Sequence, residues 1–150
     1  MKRYSFAKIT VTHFPNLCDV NNRWIFTPDI CAVVNVSQRV DEKVKEAIIG
    51  KGMEYCHFPL SEETADIGWN NILQAVKTIH RYDSENKHLL VHCDGGTHRS
   101  RLVVEAYHFA KYGTHLKDEY KGYGNHLIYD CSEEHLLPLQ DAEKILSNCL

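Results

Sequence analysis

The sequence lacks any apolar run long enough to cross a membrane, and no secretory leader opens it. Residues 1–5 are mostly polar, and the apolar centre of a signal peptide does not follow them. A membrane-spanning helix needs about 20 consecutive apolar residues. These two absences predict a cytoplasmic protein that does not span a membrane.

An excess of positive charge is also missing. The 17 Lys and Arg residues are outnumbered by 20 Asp and Glu residues, which gives a net charge of −3 and a pI near 6.3. Proteins that bind nucleic acids or anionic membranes through charge have a basic surplus. We therefore expect neither a nucleic acid nor a membrane surface as a partner.

Metal-binding spacings, internal repeats and low-complexity segments are absent from the sequence as well. The ten histidines are scattered, and none pairs with a cysteine at the spacing of a zinc site. Of the six cysteines, Cys31 and Cys56 lie in apolar, strand-like runs, where cysteine acts as a small hydrophobic residue. This pattern favours free thiols in a reducing compartment over disulfides.

The length and the alternation of patterns predict one α/β domain over residues 1–150. Strands are predicted over residues 4–13, 24–26, 30–36, 53–60 and 88–92, and helices over 42–49, 67–82, 102–110 and 132–150. The first two strands are expected to pair antiparallel, and the runs at 30–36 and 53–60 to be buried. Alternating strands and helices are typical of a mostly parallel central sheet of about 4–5 strands flanked by helices.

The most informative segment begins where the apolar run 88–92 ends, at Cys93. Its sequence, Cys-Asp-Gly-Gly-Thr-His-Arg-Ser, contains two adjacent glycines and leads into a helical pattern. A strand, a tight loop and a helix start in succession direct backbone N–H groups and the positive helix end into one small space. Such a space suits a tetrahedral oxyanion.

Two side chains of this segment supply the chemistry. Cys93 is predicted at the base of the anion site, where cysteines can have a pKa of roughly 3.5–7.5 instead of about 8.5. Arg99 can return toward the loop and bind two anion oxygens with its planar guanidinium. A nucleophile and an anion site in one loop point to phosphoryl transfer through cysteine.

The segment 92–100, His-Cys-Asp-Gly-Gly-Thr-His-Arg-Ser, resembles the signature His-Cys-x-x-Gly-x-x-Arg-Ser/Thr of the cysteine-dependent protein tyrosine phosphatases. Residues 32–36 are also similar to a strand of the small dual-specificity members. The resemblance implies no metal or other cofactor, because loop amides and the guanidinium supply the positive charge. It implies that phosphate is bound by Asp94, Gly95, Gly96, Thr97, His98 and Arg99.

The resemblance also implies roles for the flanking side chains. Ser100 is expected to donate a hydrogen bond to the Cys93 sulfur, and His92 to orient the loop through backbone contacts. Asp94 places a negative charge on the loop, which should disfavour polyanionic substrates such as inositol lipids.

The general acid that protonates the leaving oxygen has two candidates. In the resembled family it is usually an aspartate about three residues past an Ile-Pro-Val-like element, which corresponds here to residues 58–60. Glu62 stands at that distance from Pro59, and Asp66 follows it. Glu62 is preferred, because Asp66 directly precedes a predicted helix and is suited to cap it.

The resemblance implies a phosphomonoester hydrolase of the tyrosine or dual-specificity type that forms a cysteinyl-phosphate on Cys93. A phosphorylated protein or a small aryl phosphate is the expected substrate. One alternative is a module that binds phosphoresidues without an efficient acid, and another is an arsenate-reductase or sulfurtransferase-type thiol enzyme. Residues 115–125, which are polar and rich in turn formers, are predicted as a surface loop, or else as an aromatic wall or docking site.

Overall fold

The computed structural model describes residues 1–61, 68–96, 99–116 and 139–150, except for the side chains of 139–142. The strands within these ranges are β1 (Lys2–Arg3), β2 (Ile9–Thr12), β3 (Ile30–Asn35), β4 (Glu54–His57) and β5 (His88–His92). The helices are α1 (Leu17–Val20), α2 (Glu42–Gly50), α3 (Trp69–Ser84), α4 (Arg99–Tyr112) and α5 (Leu139–Ser147). No helix in the described ranges has both the length and the apolar character needed to cross a membrane.

The five strands form one sheet in the order β1-β2-β5-β3-β4. Strands β2, β5, β3 and β4 run parallel, and β1 pairs antiparallel with β2. The predicted mostly parallel sheet flanked by helices is therefore confirmed. Because β5 lies in the middle, its carboxyl end meets the ends of β2 and β3 at one edge of the sheet, where open α/β sheets bind ligands.

Strand β5 is buried on both faces. Successive strand residues point to opposite sides of a sheet. Leu89 and Val91 accordingly pack into the larger core, which includes residues of α3 and α4, whereas Leu90 packs with Val44 and Ile48 of α2. Helices on both faces explain the uninterrupted apolar run that precedes the signature segment.

The start of α2, a helix that the sequence predicts over residues 42–49, is fixed by its N-cap. The Asp41 carboxylate accepts hydrogen bonds from the backbone N–H groups of Lys43 and Val44, at 3.0 and 3.2 Å. A side-chain oxygen at this position satisfies N–H groups that have no partner in the first helical turn. The N-cap therefore fixes the point at which the loop between β3 and α2 ends.

The predicted strand over residues 24–26 is wrong. The side chain of Asn22 accepts from the Trp24 N–H at 2.9 Å, and its carbonyl accepts from Phe26 N–H at 2.8 Å, so this segment closes into turns. The antiparallel partner at this side of the sheet is β1 instead, and β2 begins only at Ile9. The hydrogen bonds that Asn22 accepts in the turn outweighed the strand preference of the apolar run 24–26.

The strand predicted as buried over residues 53–60 is a shorter edge strand. Strand β4 lies at the end of the sheet, with Glu54 exposed and Tyr55, Cys56 and His57 half-buried. The chain then turns away, and the Leu60 N–H donates to the Val36 carbonyl at 3.1 Å. Leu60 itself is fully buried next to the site.

Two other sequence-based predictions lie mainly outside the described residues. Of the segment 115–125, only His115 and Leu116 are described, and both contact the buried carboxylate of Glu105. The final helix is described over Leu139–Ser147, whereas residues 132–138 of the prediction fall outside.

Candidate active site

Cys93 follows the last residue of β5 at the carboxyl edge of the sheet and is 2% exposed. Its Sγ accepts a hydrogen bond from the Gly96 N–H at 3.2 Å. The Ser100 Oγ lies 3.2 Å from the same sulfur, which is the contact that the resemblance implied. The hydrogen bond that the Gly96 N–H donates to sulfur and the helix N-terminus beside it favour a thiolate.

The loop that follows Cys93 is packed tightly on the end of β2. Gly96 has a φ of +73°, and a Cβ built on it would lie 2.6 Å from the Thr12 carbonyl carbon and 2.7 Å from the His13 nitrogen. A residue with a side chain would meet rigid backbone there, in a conformation that such residues resist. Glycine at this position is therefore required by packing as well as by the turn.

His92 supports the loop from behind. Its Nδ1 donates to the Cys93 carbonyl at 3.0 Å, and its ring packs edge-on against Phe14 with centroids 4.7 Å apart. Because the side chain is buried, desolvation lowers the pKa of His92 to about 4. The imidazole is thus neutral at pH 7 and serves to position backbone, as the resemblance implied.

The buried imidazole predicts a specific loss of stability in acid. The folded pKa of about 4 lies below the ordinary value of 6.5, so unfolding takes up a proton between these values. We expect the free energy of unfolding to fall by on the order of 3 kcal/mol between pH 7 and pH 4 through this group. Urea unfolding at several pH values, compared between the wild type and His92→Asn, measures the difference. Identical pH dependence in the two proteins would contradict a buried neutral imidazole.

Arg99 is the first residue of α4, and its side chain contacts both the signature loop and the segment after β4. It is 4% exposed, and its Nη1 donates to the Leu60 carbonyl at 3.0 Å. Its Nη2 donates to Asp94 Oδ2 at 2.7 Å. The guanidinium thus connects the signature loop to the chain that leads into residues 62–67.

The Asp94 carboxylate lies between two arginines. Its Oδ1 accepts from Arg39 Nε at 3.0 Å, in addition to the bond from Arg99. Desolvation opposes ionisation, but the hydrogen bonds from Arg99 and Arg39 hold the pKa of Asp94 below its usual range. The two cations offset the carboxylate charge, which weakens the repulsion of polyanions that the sequence led us to expect.

Sequence reasoning missed Arg39 and Phe14. Arg39 lies in the loop after β3, and its guanidinium stacks over the Phe14 ring at 3.7 Å from the centroid. The Phe14 N–H also donates to the Asp94 carbonyl at 2.8 Å. Both residues follow parallel strands adjacent to β5. Because the carboxyl ends of such strands meet at one edge of the sheet, this position in the sequence could have indicated that the two residues lie near the site.

The structure thus brings five of the predicted site residues together, namely Cys93, Asp94, Gly96, Arg99 and Ser100. Gly95 is exposed on the same loop. The other four predicted site residues, Glu62, Asp66, Thr97 and His98, lie outside the described residues.

A buried thiol that accepts a hydrogen bond from the Gly96 N–H, followed by an arginine at the start of the next helix, is the arrangement expected from the signature segment. The family model of the dual specificity phosphatase catalytic domain matches residues 25–123, and the chain belongs to this family. Its fold is that of the protein tyrosine phosphatase superfamily, with the helix-flanked sheet described above. A search of curated protein sequences found no significant match to the chain.

Solved structures share this fold at low sequence identity. PTPMT1 superimposes with a TM-score of 0.68 at 15% identity, over 98% of this chain and 94% of that chain. The G95A form of Tk-PTP gives 0.63 at 19% identity, over 93% and 89%. The core catalytic domain of the PP-IP phosphatase SIW14 from S. cerevisiae gives 0.63 at 12% identity, over 95% and 80%.

Proposed function

We propose that this protein is a phosphomonoester hydrolase that acts through a cysteinyl-phosphate on Cys93, with a phosphorylated protein or a small aryl phosphate as substrate. The observation that supports it best is the environment of the Cys93 Sγ. The sulfur has the Gly96 N–H and the Ser100 Oγ within 3.2 Å and lies beside the N-terminus of α4. These contacts favour a sulfur anion at the place where a phosphate would be bound.

The proposed reaction has two steps. In the first, the Cys93 Sγ forms a bond to phosphorus while the bond from phosphorus to the leaving oxygen breaks, and a general acid gives that oxygen its proton. In the second, water attacks the phosphocysteine, the S–P bond breaks, and inorganic phosphate leaves. Loop N–H groups and Arg99 stabilise the charge on the transferring group in both steps. Ser100 stabilises the sulfur when it becomes the leaving group.

The general acid is proposed to be Glu62 or Asp66, with Glu62 preferred. The contact between Arg99 Nη1 and the Leu60 carbonyl, 3.0 Å, supports this location, because the chain that bears both carboxyls starts beside the site. An acid must be protonated to act, so its loss removes the fall in activity at high pH. We expect the alkaline limb of the kcat profile to vanish in either Glu62→Gln or Asp66→Asn. Profiles that keep this limb in both variants would exclude both residues.

A monoester with few additional charges suits the rim of the site better than a polyanion does. A polyanion needs several cations besides Arg99. Arg39, an exposed cation on the described part of the rim, is already paired with Asp94. The structural relatives include a PTPMT1 complex with PI(5)P and the PP-IP phosphatase SIW14, so such compounds belong in the test as comparison substrates.

The proposal is tested by rapid-quench kinetics with an aryl phosphate and with peptides that contain phosphotyrosine, phosphoserine or phosphothreonine. We expect turnover that vanadate inhibits and a phosphoryl adduct that maps to Cys93. Inositol phosphates and inositol lipids serve as comparison substrates, with lower kcat/KM expected. Tight binding of phosphopeptides without hydrolysis would instead favour the binding module, and turnover without an adduct on Cys93 would contradict the mechanism.

A further inference from the structure

In the described structure, the arginine proposed to hold the phosphate is already bound by a carboxylate of its own loop. The Arg99 Nη2 donates to Asp94 Oδ2 at 2.7 Å, and the Arg99 side chain is 4% exposed. Hydrogen bonds between two ionised groups at this distance are among the stronger ones in proteins. A substrate phosphate that uses this edge of the guanidinium must take the place of the Asp94 carboxylate.

The carboxylate has a second cation within reach. Asp94 Oδ1 accepts from Arg39 Nε at 3.0 Å, so one carboxylate bridges two guanidinium groups. If the bond to Arg99 breaks, the charge of Asp94 remains compensated by Arg39. A carboxylate that keeps one partner is displaced at a lower free-energy cost than one that loses its sole partner.

Arg39 is held in place for this purpose by three independent contacts. Its guanidinium stacks over the ring of Phe14, 3.7 Å from the centroid. Its backbone carbonyl accepts from Asn35 Nδ2 at 2.8 Å and from Ser37 Oγ at 2.9 Å, and both of those residues are fully buried. The backbone of Arg39 is therefore fixed by β3 and its loop, and the Phe14 ring orients its exposed guanidinium.

We propose that Asp94 is an internal competitor for the substrate phosphate, which holds Arg99 in the free enzyme and is displaced onto Arg39 when phosphate binds. This inference rests on the proposed function of the loop as a phosphate site. An interaction present only in the free enzyme raises KM and leaves the chemical step to other groups. Asp94 and Arg39 are thus positioning residues that set how strongly an oxyanion must bind to enter the site.

Tungstate, a tetrahedral phosphate analogue, provides a probe that does not depend on turnover. Calorimetric titration of Asp94→Asn is expected to show about five- to tenfold tighter tungstate binding than the wild type, since one charge-assisted bond no longer competes. The KM for an aryl phosphate should fall by a similar factor, with a smaller change in kcat.

Glu42→Gln is the matched control. It removes the same charge from an exposed position in the first turn of α2, close in sequence to Arg39 but without a contact to Arg99. Tungstate affinity within about twofold of the wild type is expected, because exposed charges at a distance are screened. An equal gain in both variants would show that Asp94 acts only through net charge and would overturn the proposal.

A crystal structure of the wild-type protein with tungstate gives the second readout. We expect Arg99 Nη2 to donate to a tungstate oxygen and Asp94 to remain bonded to Arg39 alone. Persistence of the contact between Asp94 and Arg99 in that complex would overturn the displacement. Failure of the wild type and of Asp94→Asn to bind tungstate at all would overturn the phosphate site itself, and with it the proposed function.

Discussion

Replacement of Cys93 by serine is expected to lower kcat for an aryl phosphate by on the order of 10⁴-fold or more, because the nucleophile of the reaction is lost. A serine hydroxyl is not ionised under conditions that favour a cysteine thiolate, and the structure shows no base beside Cys93 among the described residues that would activate it. The neighbouring His92 uses its Nδ1–H for a hydrogen bond to the Cys93 carbonyl, so its imidazole holds the backbone and does not activate a hydroxyl. Steady-state assays with an aryl phosphate measure the effect.

The Cys93→Ser variant should keep the fold and the anion site. Oxygen is smaller than sulfur and forms a shorter bond to carbon, so the serine side chain fits the space of Cys93 beside the Gly96 N–H and Ser100 Oγ without a clash. Tungstate binding should therefore remain while turnover disappears. Cys18→Ser is the matched control, because Cys18 is an exposed free thiol on α1. Retention of more than about a tenth of the activity in Cys93→Ser would contradict nucleophilic catalysis by this residue.

The second large effect is expected from Arg99→Lys, which keeps the charge and removes the planar guanidinium. We expect kcat/KM to fall by about 10²–10³-fold, the range found when one donor to a developing anion is removed. A lysine ammonium cannot bond two phosphate oxygens in a plane and also reach the Leu60 carbonyl. A decrease of less than about fivefold would show that charge alone suffices.

Stability and activity must be separated in this variant, because Arg99 is buried. A melting temperature close to that of the wild type together with weakened tungstate binding would locate the defect in the anion site. Arg81→Lys serves as the control, since Arg81 is exposed and pairs with Glu54 at the far edge strand. It should leave kcat/KM unchanged within experimental error.

Much of the fold was predictable because its signals are local. The centre of the run at 88–92, Leu-Leu-Val, is apolar, which matches burial on both faces of the central strand β5. Asp41 precedes α2 and caps it through two backbone N–H groups. By contrast, the turn at residues 24–26 depends on competing hydrogen bonds from Asn22. The edge position of β4 depends on the order of the strands in the sheet. The apolar pattern of the sequence encodes neither feature.

The succession of strand, tight loop and helix start in the signature segment was likewise predictable. Only the tertiary structure, however, shows why Gly96 has no room for a side chain, since the obstacle is the backbone of β2. The pairing of Asp94 with Arg39 could not be predicted from the sequence either, because the two residues are 55 positions apart in the chain.

The sequence by itself therefore determined the chemical groups and their order along one strand, loop and helix, because such short-range geometry follows from neighbouring residues. The tertiary structure decided which distant side chains surround that loop. Parallel strands bring Phe14, Arg39 and Leu60 to the same edge of the sheet as Cys93, and the contacts made there depend on strand order and packing.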